Sequence, residues 1–175
     1  EDADFEAAVM GAISGIFAAT GQTCIAGSRL LVQRSIHDDF VKRLLEVAGS
    51  AKIGDPMLQE THVGPVTTQP QYEKILHYMN VAREDGATCV LGGGPYKGVG
   101  FEGRRFVEPT IFTGVKNEMR IAQEEVFGPV LSVIPFEDDD EAIKVGNDVI
   151  YGLAAGVWTQ NIGRAITMAE KLRAG

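Results

Sequence analysis

The chain has 175 residues, of which 45% are hydrophobic and 21 are glycine, and a formal net charge of −8. That is about one globular domain, long enough to bury a sizeable core. No Lys/Arg cluster is dense enough to track a phosphate backbone, and no apolar run nears the roughly 18 residues of a membrane span, so we expect neither a nucleic-acid nor a membrane partner.

The elements follow in chain order. Phe5, Ala8, Val9, Ala12, Ile13, Ile16 and Phe17 form one helical stripe. Gly11 and Gly15 lie close to that face, where they allow close approach of a neighbour, and Gly21 is a plausible stop. Arg29 to Arg34 has the continuous Leu-Leu-Val centre of a strand buried on both faces. Ser35-Ile36-His37-Asp38 resembles a capping box opening a helix that ends near Gly49. Turn chemistry at Lys52–Pro56 leads into an irregular segment up to Thr68. Pro70 suits the first turn of a helix that runs to Gly86. Thr88 to Leu91 reads as a short strand, and Gly92 to Gly103 as a loop. Phe106 to Phe112 is extended but broken by Pro109, which predicts that part of it is an edge. Val130 to Pro135 reads as a strand, followed by a helix to about Val149. Leu153 to Trp158 reads as a further strand, and Asn161 caps a last helix to Gly175. This alternation predicts an α/β fold, a mostly parallel sheet with helices on both faces. There are no repeats and no internal linker.

Several chemistries can be set aside. His37, His62 and His77 are scattered, and Cys24 and Cys89 lie far apart, so we expect no metal site. Two cysteines make no disulfide framework, and a reducing, cytoplasmic setting is expected. The acidic run Glu137–Glu141 reads as a solvated helix start. Gly98–Gly103 matches G-x-G-x-x-G, but it follows a glycine-rich turn and precedes an extended segment. A dinucleotide fingerprint follows a strand and opens a helix, so this one reads as a loop. The chain opens on Glu1-Asp2 without an initiator Met, which leads us to expect a cut end and no signal peptide.

Two stretches carry candidate chemistry. In FAATGQTCIAGS, Phe17–Ser28, a lone cysteine sits among glycines between a helix and a strand. By composition alone, a small buried residue is the better reading. The helix end also disfavours a thiolate there. Against this, the flanking glycines would let a substrate reach both the sulfur and a main-chain N–H. In Gln123–Pro129, two carboxylates precede an aromatic residue and a Gly-Pro break. Ligands gather at loops by strand ends in open α/β sheets, and a carboxylate there can accept from ribose hydroxyls. Two solvated glutamates are the plainer reading, and physics alone leans toward it.

The first stretch strongly resembles the cysteine signature of the aldehyde dehydrogenase superfamily: Phe17, Gly21, Gln22 and Cys24, then Ile25–Arg29. Glu124-Glu125-Val126-Phe127-Gly128-Pro129-Val130 resembles the family's second signature. Ile53–Pro56, Glu108-Pro109-Thr110 and Tyr151–Val157 are also similar to the family's sequences, so the resemblance runs along essentially the whole chain in order. It implies that Cys24 is the nucleophile, attacking an aldehyde to give a thiohemiacetal and then a thioester that water hydrolyses to the acid. It implies NAD or NADP as cofactor, with Glu125 on the nicotinamide ribose and Phe127 against the nicotinamide end. Thr23 and Ile25 would line the aldehyde pocket. Groups outside the segment and the nicotinamide charge would favour the thiolate.

Family members are much longer. The resemblance therefore implies that residues 1–175 are a truncated catalytic domain. The cofactor-binding domain, the general-base glutamate, the oxyanion-hole asparagine and the oligomerisation segment would lie outside it. The full-length protein would be a homo-oligomer acting on a small-molecule aldehyde, and the segment alone would be inactive. The alternatives are a cofactor-independent cysteine hydrolase or acyl-transfer domain, and a non-catalytic module.

Overall fold

The structure, a computed structural model, describes all residues from Glu1 to Gly175. At its centre is a four-stranded sheet in the order β1-β4-β3-β2, formed by β1 (Arg29–Gln33), β2 (Thr88–Leu91), β3 (Thr110–Thr113) and β4 (Val130–Phe136). β4 runs parallel to both β1 and β3, and only β2 is antiparallel, to β3. The helices are α1 (Phe5–Phe17), α2 (His37–Gly49), α3 (Gln69–Glu84), α4 (Arg120–Gln123), α5 (Asp139–Asn147) and α6 (Ile162–Lys171). This is the expected α/β fold. No helix is long and apolar enough to cross a membrane.

β4 explains the two layers. Its residues Val130–Ile134 are all buried, and their side chains alternate between two cores. Val130 and Ile134 pack with Ile75, Met79 and Ile121 from α3 and α4. Leu131 and Val133 pack with Val9, Ile16, Phe40 and Leu44 from α1 and α2. A central strand covered on both faces is nearly continuous in apolar residues, and here Ser132 is the one polar residue in the run. The stripe read from α1 is the face that supplies the second core.

Local signals set several helix ends. Asp4, Thr68, Asp138 and Asn161 cap α1, α3, α5 and α6 by accepting from the third N–H of each. The capping box expected at Ser35–Asp38 does not form. α2 starts from a 3₁₀ turn, its N-cap Ile36 has no side-chain bond, and the Ser35 hydroxyl donates to Glu1 instead.

Two further expectations are corrected. β3 begins just after Pro109, at Thr110, and is an inner strand. Pro109 lies outside the ladder, so it costs no sheet hydrogen bond. Leu153–Trp158 forms no strand. Its run of small and apolar residues suits one, but no strand of this chain lies beside it. Its ends are held by Gly175 N–H donating to Gly152 O, and by Gln160 N–H and the Thr159 hydroxyl donating to Asp2. Trp158, 50% exposed, lies across α1 where Gly11 leaves room; a Cβ at Gly11 would overlap the indole.

Arg29 ties the start of β1 to the far layer. Its guanidinium donates to Asn117 Oδ1 at 2.8 Å, Val145 O at 3.0 Å and Gly146 O at 2.9 Å. Burial pushes its pKa down, against the pull of Asp148. Arg29→Met should lower stability by about 1.5–3 kcal/mol, because two carbonyls and an amide lose a charged donor. Urea unfolding with an unchanged m-value would measure it.

Candidate active site

Both candidate stretches lie in loops that precede parallel neighbours. Residues 22–28 lead into β1, and residues 124–129 lead into β4. Because Arg29 pairs with Ser132 in parallel register, the two loops emerge at the same end of the sheet. This is the amino end of the strands, whereas the usual crevice of open α/β sheets lies at the carboxyl ends.

The loops touch through their glycines. Gly21 has φ +67°, and a Cβ there would fall inside the van der Waals shell of the Gly128 carbonyl. Gly128 is crowded in turn, since a Cβ would sit 2.5 Å from Ile75 Cδ1 on α3. Three residues with positive φ lead into or close this junction: Ala19 (+50°), Thr20 (+58°) and Phe127 (+56°). A β-branched residue such as Thr20 is seldom left-handed. Such residues cost about 1–3 kcal/mol each and persist only where their surroundings over-determine them. The surroundings here do so. Thr20 Oγ1 donates to Gly64 O at 3.2 Å. Gln22 Oε1 accepts from both the N–H and the hydroxyl of Thr67, each at 2.9 Å. Across the junction, Gln71 Nε2 donates to Val126 O at 2.8 Å and Phe127 O at 2.9 Å.

Cys24 is a free thiol on the exposed side of its loop. The N–H groups of Thr23, Cys24 and Ile25 make no hydrogen bond within the chain. Thr23 is half-buried beside the cysteine, and Ile25 is 61% exposed. A free thiol, unpaired N–H donors and an apolar side chain therefore share one short turn. Two hollows elsewhere on the surface, one bordered by Ile53 and Asp55 and the other by Tyr72 and Arg104, include neither Cys24 nor Glu125. No cluster of His, Cys, Asp and Glu could hold a metal ion. Gly98–Gly103 is a loop, as its context indicates.

The paired glutamates part company. Glu124 is bound twice by Arg120, at 2.7 and 2.9 Å, and accepts from the Tyr78 hydroxyl at 2.5 Å. The Arg120 guanidinium, then the Tyr78 hydroxyl, hold its carboxyl well below the ordinary 4.5, at about 2. The same contact raises the Tyr78 pKa. Glu125 is exposed and has no hydrogen-bond partner, so its carboxylate is available to a ligand. Phe127 is half-buried next to it. Sequence reasoning missed Gln22, Gln71 and Tyr78. Gln22 stands inside the cysteine signature, but its partner Thr67 is distant in sequence, and nothing in the local pattern names it.

Two measurements follow from this geometry. Iodoacetamide should alkylate exposed Cys24 at least about 10-fold faster than Cys89, which is half-buried with Sγ 3.3 Å from Leu91 O. Equal rates under native conditions would contradict it. Because the folded pKa of Glu124 is depressed, its stabilisation is fully present above about 4.5 and is lost as the pH falls toward about 2. The pair is solvent-screened, so the loss should be under about 1 kcal/mol. Glu124→Gln should flatten that part of the stability–pH curve, measured by urea unfolding between those limits.

Comparison with known proteins identifies the family. Residues 1–175 match the aldehyde dehydrogenase family. Betaine aldehyde dehydrogenase from Mesorhizobium japonicum is 47% identical over 100% of this chain, which covers 36% of that protein. Crystal structures of betaine aldehyde dehydrogenase from Staphylococcus aureus superpose closely. One, in complex with NAD⁺, has a TM-score of 0.98 at 44% identity, over 100% of this chain and 35% of its own. Another, a point mutant with NAD⁺ and a BME-modified cysteine, has a TM-score of 0.98 at 44% identity, over 99% of this chain and 35% of its own. The chain thus spans about a third of the length of these relatives, and it belongs to the aldehyde dehydrogenase family.

Proposed function

We propose that residues 1–175 are the nucleophile-bearing part of an NAD(P)⁺-dependent aldehyde dehydrogenase. In the full-length protein it would oxidise an aldehyde to a carboxylic acid. The observation that carries this reading is the junction of the two loops. The loop that carries a solvent-facing thiol and unpaired N–H donors packs, through Gly21 and Gly128, on the loop that carries an unpaired carboxylate.

Each residue then has a task. The Cys24 thiolate adds to the aldehyde carbon; a C–S bond forms and the carbonyl π pair moves to oxygen. The free N–H of Cys24 donates to that oxyanion. Bound NAD(P)⁺ supplies the acceptor for the hydride and its two electrons. Cys24 then carries a thioester. Water adds to the acyl carbon, the C–S bond breaks, and the sulfur leaves as thiolate with the acid as product. Glu125 fits the cofactor because its exposed, unpaired carboxylate can accept from a ribose diol. Phe127 offers a ring at the same edge. Thr23 and Ile25 form the wall nearest the reacting carbon.

The relatives are about three times as long as this chain. The remaining parts of the reading, a cofactor-binding domain, a general base for deacylation, a second oxyanion donor and an oligomerisation segment, would lie outside residues 1–175. A cytoplasmic homo-oligomer fits the same reading. The betaine aldehyde dehydrogenases among the relatives make a quaternary-ammonium aldehyde the first substrate to try.

The test follows NAD⁺ or NADP⁺ reduction by the full-length protein with a panel of aldehydes. Cys24→Ala should lower kcat by at least about 10³-fold. Glu125→Gln should raise the KM for the dinucleotide about 10- to 100-fold, the loss of charge-assisted hydrogen bonds. Ester turnover without cofactor, and none with aldehyde, would favour a cofactor-independent thiol hydrolase. Residues 1–175 alone should not turn over. They hold too little of the dinucleotide's binding surface, and a missing general base costs about 10²–10⁴-fold.

A further inference from the structure

Gln22 lies two residues before Cys24, yet its side chain bonds to a segment more than 40 residues away in sequence. Both short bonds are received at one atom: Oε1 accepts from the Thr67 N–H and from the Thr67 hydroxyl, each at 2.9 Å. Its Nε2 makes only long contacts, at 3.5 Å, with Ala19 O and Pro65 O. Just upstream, Ala19, Thr20 and Gly21 are all left-handed. Strained backbone relaxes unless something holds it. On the far side, Thr67 adjoins Thr68, the N-cap of α3, so the partner is fixed to a helix with a buried face. Gln71, in the first turn of that helix, holds the carbonyls of Val126 and Phe127. One segment, from Gly64 to Gln71, therefore braces both loops.

We infer that Gln22 is a positioning residue: by accepting from Thr67 it holds the strained turn that sets the Cys24 nucleophile and its N–H donors. The catalytic part of this statement rests on the proposed aldehyde dehydrogenase reading. The brace itself is independent of it. The acceptor is the working atom, so a carboxylate at position 22 keeps both short bonds, while a thioether of similar size keeps neither.

The experiment uses the full-length protein with Gln22→Met, Gln22→Glu and Thr67→Val. Hydrogen–deuterium exchange is read on the peptide over residues 18–28, alongside kcat and KM. Gln22→Met should speed exchange in that peptide about 10-fold and leave the β4 peptide unchanged. It should lower kcat roughly 10²-fold, the usual cost of a small misplacement of a reacting group. The KM for dinucleotide should move less than about 3-fold. Gln22→Glu should restore both exchange and kcat to within about 3-fold of the wild type. Thr67→Val, which removes one of the two bonds, should fall between, and it carries the test if Gln22→Met does not fold. Unchanged exchange over 18–28 in the foldable variants, or Gln22→Glu behaving like Gln22→Met, would overturn the inference. A wild-type protein that reduces no dinucleotide with any aldehyde would defeat the functional reading instead, while the exchange data would still decide the brace.

Discussion

The contact of Gly21 with the Gly128 carbonyl is the constraint on which the candidate site depends. Neither position tolerates a side chain: Gly21 meets backbone, and Gly128 meets Ile75 of α3. Backbone cannot swing aside as a flexible side chain can, so the two loops and the helix behind them form one close-packed stack. Parallel pairing of β1 with β4 brings the loops to the same end of the sheet. The path from Gly21 to Arg29 is longer than that from Gly128 to Ser132. The surplus stands out into solvent with Cys24 on it. Sheet register, two glycines and a difference in loop length thus suffice to expose one thiol beside one carboxylate loop.

The adjacent glutamates show how a fold assigns different work to identical side chains. Glu124 ends a helical turn, where Arg120 lies four residues back and Tyr78 reaches across from α3. That geometry satisfies its carboxylate and holds the loop. The backbone is extended at Glu124, and the next residue, Glu125, is exposed and meets no donor. A carboxylate already shared between an arginine and a tyrosine has little left to offer a ligand. Its neighbour has its full accepting capacity. Sequence physics could not separate the two, because the deciding partner, Tyr78, is remote in the chain.

The same boundary divides what the sequence made legible. Apolar patterning found α1, α2, α3, β1 and β4, since each buries apolar residues against the sheet or forms it, but β1, expected to be buried on both faces, is an edge strand in which only Val32 is buried. Gly11 was read as room for a neighbour, and Trp158 fills that room. Leu153–Trp158 failed because an apolar run is not sufficient for a strand; a ladder needs a partner, and none of this chain's strands lies alongside. The helix start at Ser35 failed for a similar reason, as its hydroxyl found a remote acceptor, Glu1. In the site, the motif residues Cys24, Glu125 and Phe127 were visible through the family resemblance. Their braces were not, because Gln22–Thr67 and Gln71–Phe127 are long-range pairs of ordinary polar residues.

The helix end remains the physical objection to a thiolate at Cys24, and the backbone goes some way to meeting it. The last carbonyls of α1 carry the negative end of its dipole. Two of them are occupied: Ala18 N–H donates to Ser14 O, and Gly27 N–H, from the cysteine loop itself, donates to Gly15 O at 3.0 Å. The loop therefore neutralises part of the field it would otherwise suffer. The left-handed turn at Ala19–Gly21 then carries the chain off the helix axis before the cysteine is reached. Cys24 then lies in a turn whose own N–H groups are unpaired. Strain at Thr20 is thus coupled to electrostatics: the conformation that costs backbone energy is the one that turns the chain off the helix end and into a segment of free donors.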